Sequence, residues 1–281
     1  MSRVALVTGG CSGIGLALVK HLLAKAWNVV IADIAPPKQD ADLPAERTLY
    51  VRTDVSSFDE QAELFAKAFK WHGRLDFAAL NAGIEDRDDI FGTIDPSTPP
   101  SKPDMSTFEV DLLAVYYGIK LFAHYAAQNP VPGGKIVATA SAASLYPAPW
   151  LPQYAAAKHG VVGLVRSLAP IAAPHNITIN SICPAMVVTN IDPSISQRFP
   201  ERLRTDMSVV MKAFDELTDE SLGHTGQAVE ACAEGLYYRN CVEIEAPSMS
   251  ELQQTENMRE WVESVIKRNI QHGLRAQGRL S

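Results

Sequence analysis

Short β-branched runs alternate with segments of helical periodicity along most of this chain, and that alternation limits the fold more than any other feature. Because the runs are continuously apolar, they are typical of strands in a parallel sheet covered by helices on both faces. The predicted strands are residues 4–7, 29–32, 48–52, 77–80, 135–139, 178–183 and 242–246. The predicted helices are residues 14–24, 57–71, 106–128, 153–172 and 226–237. The sequence therefore predicts an α/β fold with one doubly wound sheet of seven parallel strands.

Length and composition fit a single domain with two additions. The chain has 281 residues, of which 47% are hydrophobic, and this is enough to bury a sizeable core and to exclude disorder. Length alone allows one large domain or two small ones, but a single alternating pattern favours one domain over residues 1–281. Within it, the apolar residues of 190–224 are expected to form a lid over a substrate, with a pair of ordinary surface helices as the alternative. Residues 251–281 are expected to form a C-terminal helical extension.

Two of the predicted helices begin with a capping-box sequence. Ser57 precedes Glu60 by three positions, and Ser106 precedes Glu109 by the same spacing. In such a box the serine and the acidic side chain satisfy backbone N–H groups that have no partner inside the helix. We therefore expect the helices near 57 and 106 to start at these serines.

Charge and cysteine content exclude several classes of protein. The net charge is −7 and no long run of Lys and Arg occurs, which argues against a nucleic-acid partner and against a polybasic membrane patch. No stretch of about 20 apolar residues is long enough to span a bilayer, and the first residues lack the pattern of a signal peptide. The four cysteines lack CxxC or histidine-paired spacing, so we expect no metal site and a reducing, cytoplasmic location.

A glycine-rich turn joins the first predicted strand to the first predicted helix. Its sequence is TGGCSGIG, residues 8–15. Glycine permits a positive φ and a close approach of the backbone to a pyrophosphate, and the following helix N-terminus attracts phosphate. The spacing GxxxGxG differs from that of a nucleoside-triphosphate loop. A dinucleotide is therefore expected here, rather than a merely tight turn, with contacts from Gly9, Ser12, Gly13, Ile14 and Gly15.

The end of the second predicted strand indicates which dinucleotide. Asp33 stands there, followed by Ile34, and a carboxylate in this place accepts hydrogen bonds from ribose hydroxyls while repelling a 2′-phosphate. Neither the glycine turn nor the position after Asp33 supplies an Arg or Lys. We therefore expect NAD rather than NADP, with a strand-end aspartate that only caps a turn as the alternative.

Taken together, these features and four further motifs resemble the short-chain dehydrogenase/reductase family over residues 3–190. The motifs are in the family's order and spacing: Asp54-Val55, Asn81-Ala82-Gly83, Ser141 with Tyr154 and Lys158, and Pro184 with Val187 and Thr189. Several of the surrounding residues further resemble the branch that contains 15-hydroxyprostaglandin dehydrogenase. The resemblance implies a Rossmann-type sheet with strand order 3-2-1-4-5-6-7, and places all of these residues beside NAD except Ser141, which faces substrate.

The same resemblance implies the chemistry of an alcohol dehydrogenase or ketone reductase. A free tyrosine has a pKa of about 10 and is a poor base at neutral pH. Lys158 follows Tyr154 by four residues on one helix face, so its ammonium can lower the pKa of the phenol. Ser141 is expected to hold the substrate oxygen for Tyr154, which acts as base in oxidation and as acid in reduction.

Two positions depart from the family pattern. Asp111 stands where the family usually has an asparagine that fixes a helix kink and a water leading to the lysine. We expect Asp111 to preserve that proton relay and to shift the pH optimum, with a purely structural role as the alternative. Ala185 replaces the usual glycine after Pro184, and its methyl group is expected to reduce the conformational freedom of this turn and to narrow the pocket.

The residues expected at the pocket mouth are apolar. They are Trp150, Leu151 and Met186, and together with the 190–224 segment they favour a bulky hydrophobic secondary alcohol or ketone. Packing of Trp150 against a neighbouring subunit is the alternative. The resemblance also implies a homodimer or homotetramer formed through the helices at 106–128 and 153–172, although their apolar residues could equally pack on the sheet.

Two other functional hypotheses stay open at this point. The first is an enzyme of the same fold that prefers NADP or performs a non-redox step. The second is a non-catalytic dinucleotide-binding protein, against which the intact set of Ser141, Tyr154 and Lys158 argues. Sequence does not name the substrate, because pocket residues vary freely on one scaffold.

Overall fold

The computed structural model describes residues 2–92, 94–191, 194–276 and 278–279. Contacts between Cα atoms divide the chain into two compact units, residues 1–239 and 240–281. The predicted single domain over 1–281 includes both units and stays a prediction.

One eight-stranded sheet forms the centre of the first unit. In chain order its strands are β1 Val4–Thr8, β2 Asn28–Asp33, β3 Thr48–Arg52, β4 Phe77–Leu80, β5 Gly134–Thr139, β6 Ile177–Pro184, β7 Ala228–Cys232 and β8 Gly235–Tyr238. Their order across the sheet is β3-β2-β1-β4-β5-β6-β7-β8, and all neighbours are parallel except the antiparallel pair β7–β8. The predicted α/β Rossmann-type fold is confirmed, with one more strand than expected.

The prediction was wrong about residues 226–246. The expected helix at 226–237 is the hairpin of β7 and β8, and the expected strand at 242–246 is irregular, with Val242 90% exposed. Side chains of β7 alternate between the two faces of the sheet, since Ala228 packs in one core and Val229 in the other. Apart from Glu230, the side chains on both faces of β7 are apolar or small, so the run has no clear period of two, and its pattern does not distinguish helix from strand.

Helices cover both faces of the sheet in the first unit. They are α1 Gly13–Ala24, α2 Phe58–His72, α3 Ser106–Phe108, α4 Ala114–Ala126, α5 Pro152–Ala172, α6 Ile195–Arg198 and α7 Met207–Thr218. Buried side chains of α2, α4 and α5 form one core with the sheet, and those of α1 and α7 form the other. This is the doubly wound arrangement that the alternation predicted.

The predicted helix over 106–128 is interrupted. A π-helical turn at Glu109–Leu113 separates α3 from α4. The serine cap at the start of α2 is confirmed, because Ser57 Oγ accepts a hydrogen bond from the Glu60 N–H at 3.2 Å. The cap predicted at Ser106 is wrong, because Ser106 is already the first helical residue and its N–H donates to Asp104 Oδ1 at 2.9 Å, two residues before it.

The predicted lid at 190–224 divides between two kinds of packing; its residues 192–193 lie outside the described residues. In α7, Val210, Met211 and Phe214 are buried against the sheet, with Phe214 in edge-to-face contact with Phe77. These apolar residues of α7 therefore complete a core and do not cover a substrate. α6 and its neighbours line the cavity described below.

The second unit contains α8 Pro247–Gln254 and α9 Glu256–Ala276, and no described side chain of these two helices is buried. The extension predicted at 251–281 is thus helical over most of its described length. Throughout the described residues, no helix is long and apolar enough to cross a membrane.

Candidate active site

A cavity of about 1090 Å³ opens at the carboxyl ends of the parallel strands. It lies where the strand order reverses between β1 and β4, the place where doubly wound sheets bind ligands. Of the residues predicted for the site, all line this cavity except Gly15 and Asp111. We call it the active-site cavity.

The glycine turn forms one end of the cavity and leaves a helix N-terminus open. Gly13 has a φ of +49°, which disfavours any residue with a side chain, and Ser12 caps α1 without a side-chain hydrogen bond. No acidic residue occupies the first turn of α1, so its N–H groups and partial positive charge are available to phosphate. Gly15 lies behind the turn, where a Cβ would come within 2.1 Å of the Gly9 carbonyl oxygen. A glycine is therefore needed at this position for close packing of the turn.

Asp33 links the end of β2 to the glycine turn. Its Oδ2 accepts from the Cys11 N–H at 3.0 Å, and its Oδ1 accepts from the Ala35 N–H at 3.3 Å. Each oxygen keeps a lone pair for a further donor, such as a hydroxyl group. The neighbouring cation Arg52 pairs with Glu60, so it does not neutralise Asp33 directly. Burial, and secondarily Asp33, raises the pKa of the Cys11 thiol to about 12, so that thiol is unreactive at neutral pH.

Asn81 and Asp54 support the cavity floor from two other strand ends. The Asn81 N–H donates to Thr8 Oγ1 at 2.8 Å, and Asn81 Oδ1 accepts from Thr139 Oγ1 at 3.0 Å. These hydrogen bonds of Asn81 connect the end of β4 to the ends of β1 and β5. Asp54 Oδ1 accepts from the N–H and the hydroxyl of Ser56, which holds the loop after β3.

Tyr154 and Lys158 project from the first turns of α5 toward the cavity. The Tyr154 N–H donates to Asp86 Oδ1 at 2.6 Å, which fixes the start of the helix. Lys158 Nζ lies 5.4 Å from the centroid of the Tyr154 ring and donates to the Thr139 carbonyl at 3.0 Å. The lysine is 2% exposed, so its charge acts through a low dielectric on the neighbouring phenol.

Asp111 lies directly behind this lysine. Its Oδ2 is 3.1 Å from Lys158 Nζ, and its Oδ1 accepts from the Ile84 N–H at 2.8 Å. Burial opposes the ammonium form of Lys158, but the charges of Asp111 and then Tyr154 outweigh it and raise the pKa of the lysine. Burial also raises the pKa of Asp111, and Lys158 only partly offsets this. The π-helical turn that carries Asp111 explains how the carboxylate reaches the lysine.

Gly83 makes room for this ion pair. A Cβ at this position would lie 3.2 Å from both Asp111 Oδ2 and Lys158 Nζ. The glycine of the NAG motif is therefore needed for the close approach of two buried charges, in addition to lining the cavity.

Ser141 stands at the end of β5 and begins a short 3₁₀ turn. Its Oγ accepts from the Ala143 N–H at 3.1 Å, and this bond leaves the hydroxyl proton free to point at a ligand. The Ser141 N–H donates to the buried Ser144 Oγ at 3.0 Å, so Ser144 holds the turn. Ser141, Tyr154 and Lys158 thus all line the active-site cavity.

Comparison with known proteins agrees with this geometry. The family model described as short chain dehydrogenase matches residues 3–199. The chain belongs to the short-chain dehydrogenase family. This confirms the resemblance noted above, and the placement in the 15-hydroxyprostaglandin dehydrogenase branch stays a prediction.

Two curated relatives and one solved structure illustrate the similarity to this short-chain dehydrogenase. Short-chain dehydrogenase/reductase prx6 of Penicillium rubens is 33% identical over 254 residues, covering 84% of this chain and 85% of the relative. Human 15-hydroxyprostaglandin dehydrogenase [NAD(+)] is 33% identical over 205 residues, covering 69% and 72%. The structure of ElxO with NADP bound has a TM-score of 0.71 at 23% identity, covering 82% of this chain and 97% of the other. That structural likeness supports the fold.

Sequence reasoning missed several residues of the cavity wall in this short-chain dehydrogenase. They include Thr53, Glu85, Glu109 and Tyr146, whereas Ile191, Ile195, Arg198 and Phe199 lie within the predicted lid at 190–224. Most lie on loops and short turns whose sequences have no period to indicate a direction. The proximity of Tyr146 to Ser141 in the chain was the one available signal, since both follow β5.

Proposed function

We propose that this protein is an NAD(H)-dependent oxidoreductase that interconverts a secondary alcohol and a ketone on a hydrophobic small molecule. The observation that carries the proposal is the buried ammonium of Lys158, held between Asp111 and the Thr139 carbonyl beside the Tyr154 ring. A fixed positive charge beside a phenol favours the negative charge that develops on the phenol oxygen during proton transfer.

Tyr154 acts as the acid and base in this proposal. In oxidation its phenolate accepts the hydroxyl proton of the alcohol, and in reduction its hydroxyl returns a proton to the carbonyl oxygen. Lys158 stabilises the phenolate electrostatically, and Asp111 keeps Lys158 charged. Ser141 donates its free hydroxyl proton to the substrate oxygen and orients it toward Tyr154.

The cavity residues fit a nicotinamide dinucleotide, which supplies the hydride acceptor or donor when bound. The open N-terminus of α1 would hold the pyrophosphate, with contacts from Gly9, Ser12, Gly13 and Ile14. Asp33 and Ile34 would hold the adenosine ribose, and Asp54 and Val55 the adenine. The nicotinamide half would contact Asn81, Ala82, Gly83, Pro184, Val187 and Thr189, together with Tyr154 and Lys158. All of these residues line the cavity.

NAD is the proposed dinucleotide because of Asp33. Both of its oxygens retain acceptor capacity for ribose hydroxyls, and its charge repels a 2′-phosphate. The printed name of the human relative, which includes NAD(+), supports this choice. NADP is the second candidate, since a protein of the same fold was solved with NADP bound.

The substrate part of the cavity is mainly apolar. Trp150, Leu151 and Met186 line it, joined by Ile191, Ile195 and Phe199. Trp150 is 74% exposed, so its ring is accessible at the mouth. These contacts support a hydrophobic alcohol or ketone over a sugar.

Replacement of Tyr154 by Phe tests the mechanism. The variant should lose turnover of hydrophobic secondary alcohols by a factor of about 10² to 10⁴, because the ring remains but its proton-transfer group is gone. Turnover is followed by the absorbance of the reduced nicotinamide with NAD and, separately, with NADP. Calorimetric NAD affinity should be unchanged. Retained turnover would exclude Tyr154 as the acid and base, whereas NAD binding without turnover in the unaltered protein would favour a non-redox or non-catalytic function.

Assembly and location complete the proposal. Leu113 and Tyr116 are exposed near the start of α4, and Ile171 is exposed on α5, which supports a homodimer or homotetramer through these helices.

All four cysteines are free thiols, which supports a reducing, cytoplasmic environment.

A further inference from the structure

Tyr146 is a second tyrosine of the active-site cavity, and its hydroxyl group is engaged by two charged side chains. The hydroxyl donates to Glu230 Oε2 at 3.0 Å and accepts from Arg239 Nη2 at 3.0 Å. Its only proton is therefore directed away from any substrate. The hydrogen bond to Glu230 is also the main reason that the pKa of Tyr146 is raised. Tyr146 consequently presents a neutral ring to the cavity and no acid.

Glu230 is the centre of this three-residue cluster. Its side chain is 8% exposed, and Arg239 contacts the same carboxylate oxygen through Nε at 2.7 Å and through Nη2. A buried carboxylate of this kind is tolerated only when it is paired and hydrogen-bonded. In the β6–β7 ladder Glu230 lies opposite Cys183, next to Pro184 of the proposed nicotinamide segment. The cluster thus joins the cavity wall to the edge of the sheet.

Arg239 is itself held at the end of β8. Its N–H donates to the Ala228 carbonyl at 2.8 Å, and its carbonyl accepts from Arg166 Nη2 at 2.7 Å. The cluster is therefore fixed on two sides: β7 and β8 hold Glu230 and Arg239, and the turn that begins at Ser141 holds Tyr146. The antiparallel hairpin that sequence reasoning missed is what brings Arg239 within reach of Glu230.

We propose that Glu230 is a positioning residue which, with Arg239, fixes the Tyr146 ring as an apolar wall of the substrate pocket. The ring is 46% exposed and shares the pocket with Trp150 and Leu151. A wall of two aromatic rings selects alcohols and ketones whose larger arm is flat and apolar, because such an arm stacks on the rings. The inference rests on the proposed function for its substrate class.

Steady-state kinetics with a graded panel of alcohols provide the test. The panel is 2-butanol, 1-phenylethanol and 1-(2-naphthyl)ethanol, each measured with saturating NAD. In Tyr146→Phe and in Glu230→Gln, the KM for the naphthyl alcohol should rise about tenfold, which corresponds to about 1.4 kcal/mol, because the ring loses its fixed orientation. The KM for 2-butanol should rise less than that for the naphthyl alcohol, because its short arm has little surface to stack on the ring.

Tyr238→Phe is the matched control. Tyr238 lies on β8, and its hydroxyl, like that of Tyr146, donates to a glutamate, Glu216 at 2.7 Å, but Tyr238 does not line the cavity. Its KM values should equal those of the unaltered protein. The double variant Tyr146→Phe/Glu230→Gln should be no worse than either single one, because both remove the same constraint. An equal change for all three alcohols, or none for the naphthyl alcohol, would overturn the proposal.

A binding measurement separates this inference from the proposed function. Calorimetry with 2-acetonaphthone is carried out on the NADH-loaded protein, with and without Tyr146→Phe. About tenfold weaker binding in the variant supports the inference even if the unaltered protein turns over no alcohol, in which case the proposed function alone fails. Equal binding, or no binding by either protein, overturns the inference.

Discussion

At the scale of single residues, the central feature is one buried charge pair. Lys158 and Asp111 lie 3.1 Å apart, 3% and 0% exposed, where the family usually has a lysine and an uncharged asparagine. A buried pair of this kind contributes little net stability, but removal of one partner leaves an uncompensated charge and typically costs about 3–5 kcal/mol. The charge of Asp111 therefore favours the ammonium form of Lys158 and raises the pKa of the lysine.

Replacement of Asp111 by Asn should lower the free energy of unfolding by about 3–5 kcal/mol at pH 7. The pH dependence of this stability difference follows from Lys158, whose pKa in the folded protein is raised above its ordinary value of 10.5. Stability from its charge is fully present below about pH 10.5 and is lost as pH rises through the raised pKa, so the difference between the two proteins should shrink there. Urea unfolding at pH 7 and at a pH above 10.5 measures the difference in the free energy of unfolding between the two proteins. Asp215→Asn, which removes a surface partner of Lys25, should cost under about 1 kcal/mol.

The same substitution tests the role of Asp111 in turnover. With the carboxylate gone, we expect the pH profile of kcat/KM for alcohol oxidation to shift, because the ammonium proposed to act on Tyr154 loses its counter-charge. A profile and rate identical to those of the unaltered protein would leave Asp111 with a structural role only.

At the scale of elements, the segment after β6 has two functions. Phe214 of α7 is 1% exposed and packs on Phe77, whereas Phe199, after α6, is 37% exposed and lines the cavity. Periodicity alone did not separate them, because both stretches are apolar and helical in pattern. Their neighbours in the tertiary structure decide which one is core and which one is pocket.

Alanine substitutions should separate these two functions. Phe214→Ala should lower the free energy of unfolding by about 3–5 kcal/mol, because it leaves a cavity in a close-packed core. Phe199→Ala should leave stability within about 0.5 kcal/mol and raise the KM for bulky alcohols. Urea unfolding and steady-state kinetics measure the two effects. If Phe199→Ala destabilised as strongly as Phe214→Ala, the division of this segment would be wrong.

At the scale of the whole molecule, the proposed assembly depends on apolar residues that remain exposed in one copy. Leu113 and Tyr116 are 42% and 49% exposed near the start of α4, while most apolar residues of the same stretch face the core. Exposed apolar residues that adjoin a long helix pair are typical of subunit contacts.

Replacement of both Leu113 and Tyr116 by Glu should reduce the molar mass measured by light scattering to that of a smaller assembly. Burying two carboxylates in an apolar contact is unfavourable, so the subunits should separate. Val131→Glu is the control, since Val131 is 77% exposed in a loop outside these helices and its replacement should leave the mass unchanged. A mass unaffected by the double substitution would place the contact elsewhere.

The sequence by itself determined the doubly wound sheet, the glycine turn and the cavity-lining motifs. These depend on local patterns: apolar runs, glycine spacing, and residues at strand ends that a parallel sheet brings to one edge. Tertiary structure decided what depends on distant partners. The edge hairpin of β7 and β8 could not be recognised because, apart from Glu230, β7 is apolar or small on both faces and shows no period of two. The ion pair of Asp111 with Lys158 needed a π-helical turn, and the orientation of Tyr146 needed Glu230 and Arg239, which approach it only when the sheet edge has formed.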